Sequence, residues 1–382
     1  MGLARKIFWG SVAGLVHTHV TYPLTLAAIA RLRERRGTEP ARPLSAPELP
    51  SVSLIIAAFD EEDVIAAKVA DALGLDYPRE RLELIVASDG SGDRTVELAR
   101  EAGADMVLDL PRGGKLATQN AAVERSSGEI VAFSDANSAW EPDALRALVA
   151  AFDDPEVGYA CGRVAFTDPD GDNEEGVYWR YEMAVRELES ELGGITAGNG
   201  GIYAVRRAAY RFLAPSRSHD LSFPFELRRD GWRSVDVPGA RASERMVPSI
   251  EGEFARKRRM MVGLHDIVVA DRMWDPRGYG LMFGYEIASH RLLRYASPLL
   301  HLAAFAANLA LLRSGRIYRL ALAAQLGLLA AAAAGDAVPG PASRITRIAR
   351  YYVLVTASIG LGFLDRWRNG PPAAWERSEG TR

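Results

Sequence analysis

Between residues 52 and 133 short apolar runs alternate with stretches of helical period, which restricts the middle of the chain to a largely parallel α/β sheet. The run 52–58 is apolar without alternation, as suits a central strand covered on both faces. A helix-like stretch follows at 61–73, then strand 82–87, helix 93–102, strand 106–110, helix 115–125 and strand 129–133. In open parallel sheets ligands bind beyond the carboxyl ends of the strands, so the chemistry is sought in the residues that close each strand. The first strand closes in Ala57-Ala58-Phe59-Asp60-Glu61-Glu62, the second in Ser88-Asp89-Gly90-Ser91-Gly92-Asp93 and the fourth in Ser134-Asp135-Ala136-Asn137. Three acidic clusters thereby meet on one edge. Grouped carboxylates repel unless a cation or hydrogen-bond donors compensate, which points to a divalent metal, or to a sugar and base. Taken singly, Asp89-Gly90 also reads as a turn and Asp93 as a helix N-cap.

The two ends of the chain have a different character. From residue 7 to 30 the only ionisable groups besides Tyr22 are His17 and His19, and 24 helical residues would reach roughly 36 Å, enough for a bilayer core. Arg31, Arg33, Arg35 and Arg36 follow as a cytoplasmic flank should. An amphipathic helix lying on the membrane is the alternative. Near the other end, 295–312, 320–334 and 351–364 are uncharged and separated by arginine-bearing loops; each is short for a span and equally suits an interfacial or re-entrant helix. The organisation expected is a membrane helix with a basic flank at 1–36, a Pro/Gly/Ser linker at 37–50, an α/β domain at 51–275, membrane or interfacial helices at 285–366 and a polar tail at 367–382.

Composition excludes several functions. Lys and Arg number 46 against 49 Asp and Glu, so no positive excess is available for a phosphate backbone, and no nucleic-acid partner is expected. The single cysteine, Cys161, rules out an internal disulfide and a cysteine-cluster metal site. Only Lys6, Lys68, Lys115 and Lys257 are lysines in a chain otherwise rich in arginine, which singles each of them out. Gly113-Gly114-Lys115-Leu116 is no Walker loop, because Asp109 stands where the upstream glycine belongs and no Ser or Thr follows the lysine. Asp168, Asp170 and Asp172 begin like a calcium loop but lack its glycine and closing glutamate.

Together these strand ends resemble the inverting, GT-A-fold glycosyltransferases of family 2, in particular their membrane-anchored polysaccharide-synthase-like branch. The resemblance runs from Val52 to about Met261 and extends to the hydrophobic ends. It implies a mostly parallel nucleotide-diphospho-sugar transferase sheet with flanking helices. The family's opening P-A-Y-N-E-like turn is similar to Ala57-Ala58-Phe59-Asp60-Glu61, which implies donor contacts at Ala58 and Glu61. Its D-G-S turn resembles Asp89-Gly90-Ser91, with Asp89 toward the base or ribose, and its G-K element implies a donor contact at Lys115. Its D-x-D motif resembles Asp135-Ala136-Asn137, implying Mg²⁺ or Mn²⁺ held by Asp135 and Asn137; an asparagine carbonyl can replace a carboxylate oxygen. The segment 196–207, Thr196-Ala197-Gly198-Asn199-Gly200-Gly201 onward, resembles the glycine-rich acceptor-side loop; a plain loop with a bulge reads equally well.

The family's catalytic base is the second acid of an acidic pair ahead of a helix and a G-W/Y-R element. His219-Asp220, followed by Gly231-Trp232-Arg233, resembles it with histidine in place of the first acid, so Asp220 is implied as the base; it also reads as the N-cap of a helix 221–229. Arg256-Lys257-Arg258-Arg259-Met260 resembles the R-K-x-R variant of the Q-x-x-R-W motif, implying Arg256 and Arg259 beside the diphosphate; a basic face toward anionic lipid is the alternative. The function implied is transfer from a nucleotide-sugar, a UDP-sugar first, to a glycan or lipid-linked acceptor by an enzyme of the inner membrane whose catalytic domain faces the cytoplasm. The departures at His219, Asn137 and Met260 keep a catalytically silent nucleotide-sugar-binding subunit as the rival reading.

Overall fold

The computed structural model describes residues 2–35, 49–167, 175–245, 250–338 and 342–370. Residues 37–48 of the expected linker 37–50, the Asp168–Asp172 stretch and residues 371–382 of the expected tail 367–382 lie outside them. The described residues form one eight-stranded sheet with two helical layers and a set of long helices from both ends of the chain.

Strands β1 (Val52–Ala58), β2 (Leu82–Asp89), β3 (Met106–Leu110) and β4 (Ile130–Asp135) make the parallel half in the order β3-β2-β1-β4. All seven residues of β1 are buried, as its uninterrupted apolar run predicts for a strand with both faces covered. On one face lie Ile65, Val69 and Ala72 of the helix Ile65–Leu73 with Leu145 and Leu148 of Ala144–Ala150. On the other lie Ala122 and Val123 of Lys115–Arg125 with Phe223 and Leu227 of His219–Arg229. The sheet continues from β4 through antiparallel β7 (Ile202–Arg206) to β6 (Val157–Thr167), which runs antiparallel to β7 and parallel to β8 (Arg233–Arg245), with the short β5 (Ala139–Trp140) at the edge. Ala57 pairs level with Asp135, and Ala58 with Ser88, so the carboxyl ends of β1, β2 and β4 finish at one height.

Three helix starts differ from the periodicity reading. The first begins at Ile65 and not at 61, because Asp60 takes a left-handed φ of 52° and the Glu61 carbonyl closes the turn onto the amides of Val64 and Ile65. The second begins at Thr95, where the Asp93 carboxylate accepts from the Thr95 amide at 2.9 Å. The helix before Gly231 begins at His219, two residues early, because Ser218 is the last extended residue; Asp220 therefore sits inside the first turn and is not its N-cap.

At the ends, three described helices are long and apolar enough to cross a membrane: Gly2–Arg33, Arg316–Ala334 and Ala342–Asn369. The 295–312 stretch forms the helix Leu293–Leu311, whose Leu293 and Leu300 pack on Gly14 of the first helix. Pro23 does not break the first helix. A π-helical turn, His17–Thr21, precedes it, and the His19 carbonyl, which an amide at position 23 would otherwise engage, accepts from the Tyr181 hydroxyl at 3.0 Å. The helix Ile250–His265 joins the two parts of the molecule: Gly362 of Ala342–Asn369 passes so close that an added Cβ would fall 2.5 Å from Met261 Cβ.

Candidate active site

The site forms where β4 ends. The Asp135 carboxylate accepts from the Lys115 ammonium, and both side chains are about a quarter exposed, at 27% and 25%. Lys115 opens its helix immediately after Gly114, whose φ of 91° only glycine adopts without strain. The helix start is fixed from behind by Asp89. Its fully buried carboxylate accepts from the amides of Gly113 at 2.7 Å and Gly114 at 2.9 Å and from the Thr118 hydroxyl at 3.1 Å, an anion seated at a helix N-terminus. Asp89 thus organises the lysine-bearing turn.

The turn after Asp135, which carries Asn137, is held by the buried Lys68, whose ammonium donates to the Ser138 carbonyl at 2.6 Å and to Asp71 at 3.2 Å. The scarcity of lysine was the available signal for Lys68, but its role needed the fold. Ala58 is buried against β2, and buried Glu61 donates its amide to the Thr95 hydroxyl at 2.8 Å. Beside them an open cleft of about 290 Å³ is lined by Asp60, Glu62, Asp63, Gly92 and Asp93. The Arg112 guanidinium lies 3.2 Å from the centroid of the Phe59 ring and 3.4 Å from the Asp89 carboxylate; nothing in the motif spacing had singled out Arg112.

The glycine-rich loop 196–201 closes over this edge. Asn199 staples it, accepting from the amides of Gly201 and Ile202 at 3.1 and 3.0 Å while donating to the Gly162 carbonyl at 2.7 Å. A side chain at Gly200 would meet Lys115 Nζ at 3.3 Å and Asp135 Oδ2 at 3.4 Å, and one at Gly201 would meet Glu244 Oε1 at 2.2 Å. The Gly198 amide donates to the Asp220 carbonyl at 2.7 Å, tying the loop to the residue expected as base.

The site therefore contains an acid that sequence reasoning missed, Glu244 near the end of β8. Burial and the neighbouring Asp135 carboxylate push its pKa up to about 7 against the opposing pull of Lys115. Burial acts to lower the pKa of Lys115, but the surrounding acids Asp135, Asp220 and Glu244 raise it above the ordinary lysine value, so the ammonium keeps its proton. The missed signal was an acid in the last turn of chain before the basic helix; nothing in the spacing showed that β8 returns it to β4.

His219, the departure from the acidic pair, is a structural residue. Its Nδ1 lies 2.7 Å from the Tyr203 hydroxyl, its Nε2 lies 3.2 Å from that of Tyr210, and its ring stacks on Phe223 at 4.1 Å. Burial, with Lys115 nearby, holds its pKa well below the usual histidine value, so the imidazole is neutral. Along the basic helix the side chains part. Arg256 acts on Glu244, Lys257 lies 5.4 Å from the Tyr351 ring centroid, Arg258 makes a bidentate pair with Asp365 at 2.5 and 2.7 Å, and Arg259 is exposed. Two of the four thus bind the C-terminal helix, a role the motif did not suggest.

The oxygen donors suit a hard divalent ion: the Asp135 carboxylate with Asn137 in the following turn, Glu244 nearby, and an ammonium already standing as the positive charge at Asp135. No group of three or more His, Cys, Asp or Glu among the described residues is arranged to hold an ion alone, so bound substrate would have to supply ligands.

A three-layer sheet that collects lysine, acids and a glycine loop at the carboxyl ends of its parallel strands has the architecture of the nucleotide-diphospho-sugar transferases, the GT-A fold. Residues 53–213 match the Glycosyl transferase family 2 model. It is 31% identical over 202 residues to the beta-monoglucosyldiacylglycerol synthase of Trichormus variabilis, covering 48% of this chain and 42% of that protein. To an N-acetylglucosaminyltransferase of Rhizobium meliloti it is 29% identical over 185 residues, covering 45% and 43%. The chain therefore matches about two fifths of the length of these curated relatives. The fold of mannosyltransferase PcManGT from Pyrobaculum calidifontis, solved with GDP-Man and Mn²⁺, superposes on 96% of this chain and 99% of that one with a TM-score of 0.71 at 20% identity.

Proposed function

We propose that the chain is a membrane-bound inverting glycosyltransferase that moves a sugar from a nucleotide-sugar, a UDP-sugar first, to a glycan or lipid-linked acceptor. The observation that carries this reading is the meeting of Lys115, Asp135, Asp220 and Glu244 under the 198–201 loop at the carboxyl edge of the sheet. Two carboxylates of different surroundings and one lysine there match the needs of a single displacement. In it Asp220 accepts the proton of the acceptor hydroxyl, the hydroxyl oxygen bonds to the anomeric carbon, and the bond to the nucleoside diphosphate breaks on the opposite face. Lys115 and Arg256, with Arg259 of the same helix, bind the departing diphosphate, while Asp89 with Glu61 and Ala58 shapes the nucleoside end. Asp135 and Asn137 would hold Mg²⁺ or Mn²⁺, which supplies charge neutralisation for the leaving group.

The catalytic unit of this reading is 51–275, with membrane helices at 1–36 and 285–366. Apolar outward faces support the second assignment: Leu24 is 64% exposed and Leu320 70%. The arginine flank after the first helix supports an inner-membrane protein with its catalytic domain toward the cytoplasm. The similarity to a beta-monoglucosyldiacylglycerol synthase favours a lipid acceptor over a polymer.

The test is release of nucleoside diphosphate by detergent-solubilised protein over UDP-, GDP- and dTDP-sugars with Mg²⁺ or Mn²⁺ and membrane lipid extract, beside Asp220→Asn. Turnover with a donor that Asp220→Asn loses while still binding nucleotide is the expected result. Tight donor binding without turnover in the parent protein would favour the silent subunit.

A further inference from the structure

We propose that Lys115 is an internal counter-ion for Asp135, one that a nucleoside diphosphate must draw off before Asp135 can take a divalent cation, so that metal and nucleotide bind as a coupled pair. This rests on the donor site proposed above. Two independent observations carry it. The Lys115 ammonium holds the Asp135 carboxylate directly, at the place a cation would occupy. The described residues, moreover, offer no set of three acids or histidines able to hold an ion without further ligands.

The structure also says which partner moves. Asp135 closes a strand in the middle of the sheet, and its turn is pinned by the buried Lys68 through the Ser138 carbonyl at 2.6 Å. Lys115 has a flexible four-carbon stem at a helix start, with a quarter of its side chain exposed. A diphosphate carries more negative charge than one carboxylate and brings the oxygen ligands the protein lacks. Once Nζ turns to it, Asp135 is released to the metal. Asp220 and Glu244 face Lys115, Glu244 and the buried Lys68 face Asp135, and Arg256 acts on Glu244 behind them. Because binding linkage is reciprocal, metal must strengthen nucleotide binding by the same factor that nucleotide strengthens metal binding.

Free Mn²⁺ measured by electron paramagnetic resonance over the full-length solubilised protein tests this without turnover. Lys115→Met should bind Mn²⁺ alone at least tenfold more tightly than the parent, and should bind UDP or GDP more weakly in the absence of metal. Lys115→Arg should behave as the parent, and melting curves establish that each variant is folded. Arg146→Met, which removes an equal charge from a surface pair with Asp76, should change Mn²⁺ affinity less than threefold. Unchanged Mn²⁺ affinity in Lys115→Met, or an equal gain in Arg146→Met, overturns the counter-ion role while leaving the donor site standing. Failure of Mn²⁺ to bind any form even with nucleotide present removes the metal-assisted reading and this inference with it.

Discussion

The buried ammonium of Lys68 donates to the carbonyl of Ser138 at 2.6 Å, three residues beyond Asp135, and so a helix on one face of the sheet sets the position of the turn on which the charged site is built. Lys68→Met keeps the stem but leaves that carbonyl without its charged donor. We expect a loss of about 1–3 kcal/mol in stability, read as a lower melting midpoint, because an abandoned buried acceptor carries its full desolvation cost. Weakened Mn²⁺-dependent nucleotide binding should accompany it, and an unaltered melting curve would contradict this account of the turn.

His219 gives the protein an acid-sensitive element. Its folded pKa lies well below the 6.5 of an ordinary histidine, so the unfolded chain binds the extra proton first and stability falls as the pH drops below that value. The slope is about 1.4 kcal/mol per pH unit until the folded-state value is reached. Melting of the parent should therefore decline from pH 7 to pH 5, and His219→Gln should flatten that part of the curve.

Glu244 acts with the opposite sign. Its pKa is raised from 4.5 to about 7 in the fold, so its contribution is fully present below 4.5 and is lost as the pH rises through 7. Glu244→Gln should melt with the parent at pH 5 and above it at pH 8. Coincident curves at pH 8 would show that the carboxylate is compensated better than its neighbours suggest.

Gly198 tests the loop. An added Cβ would lie 1.9 Å from the Tyr159 hydroxyl oxygen, and the Gly198 amide holds the Asp220 carbonyl, so Gly198→Ala must displace the candidate base. Small displacements of a reacting group cost on the order of 10²-fold, and we expect at least a tenfold fall in turnover with nucleotide binding retained. Gly239→Ala, whose Cβ would make an ordinary 3.7 Å contact with Ala147, serves as the comparison. Equal activity in the two variants would separate the loop from the chemistry.

The parallel half of the fold was readable because it depends on local pattern. Apolar runs buried on both faces announced β1, β2 and β4, and the strand-end acids Asp89 and Asp135 could be located by the closing of those runs. Helix starts were less legible, since they turn on single backbone conformations such as the left-handed Asp60 and the extended Ser218. The sequence by itself thus determined the α/β rhythm, the edge on which the acids meet and the apolar ends. Only the tertiary structure decided what those residues do to one another: that Lys115 holds Asp135, that Asp89 caps a helix start, that His219 is a neutral wall residue, and that Glu244 returns from 109 residues downstream of Asp135 to share its field. Periodicity reports which face a side chain takes, whereas charge pairing between distant strands depends on sheet order, and sheet order is set by packing across the whole domain.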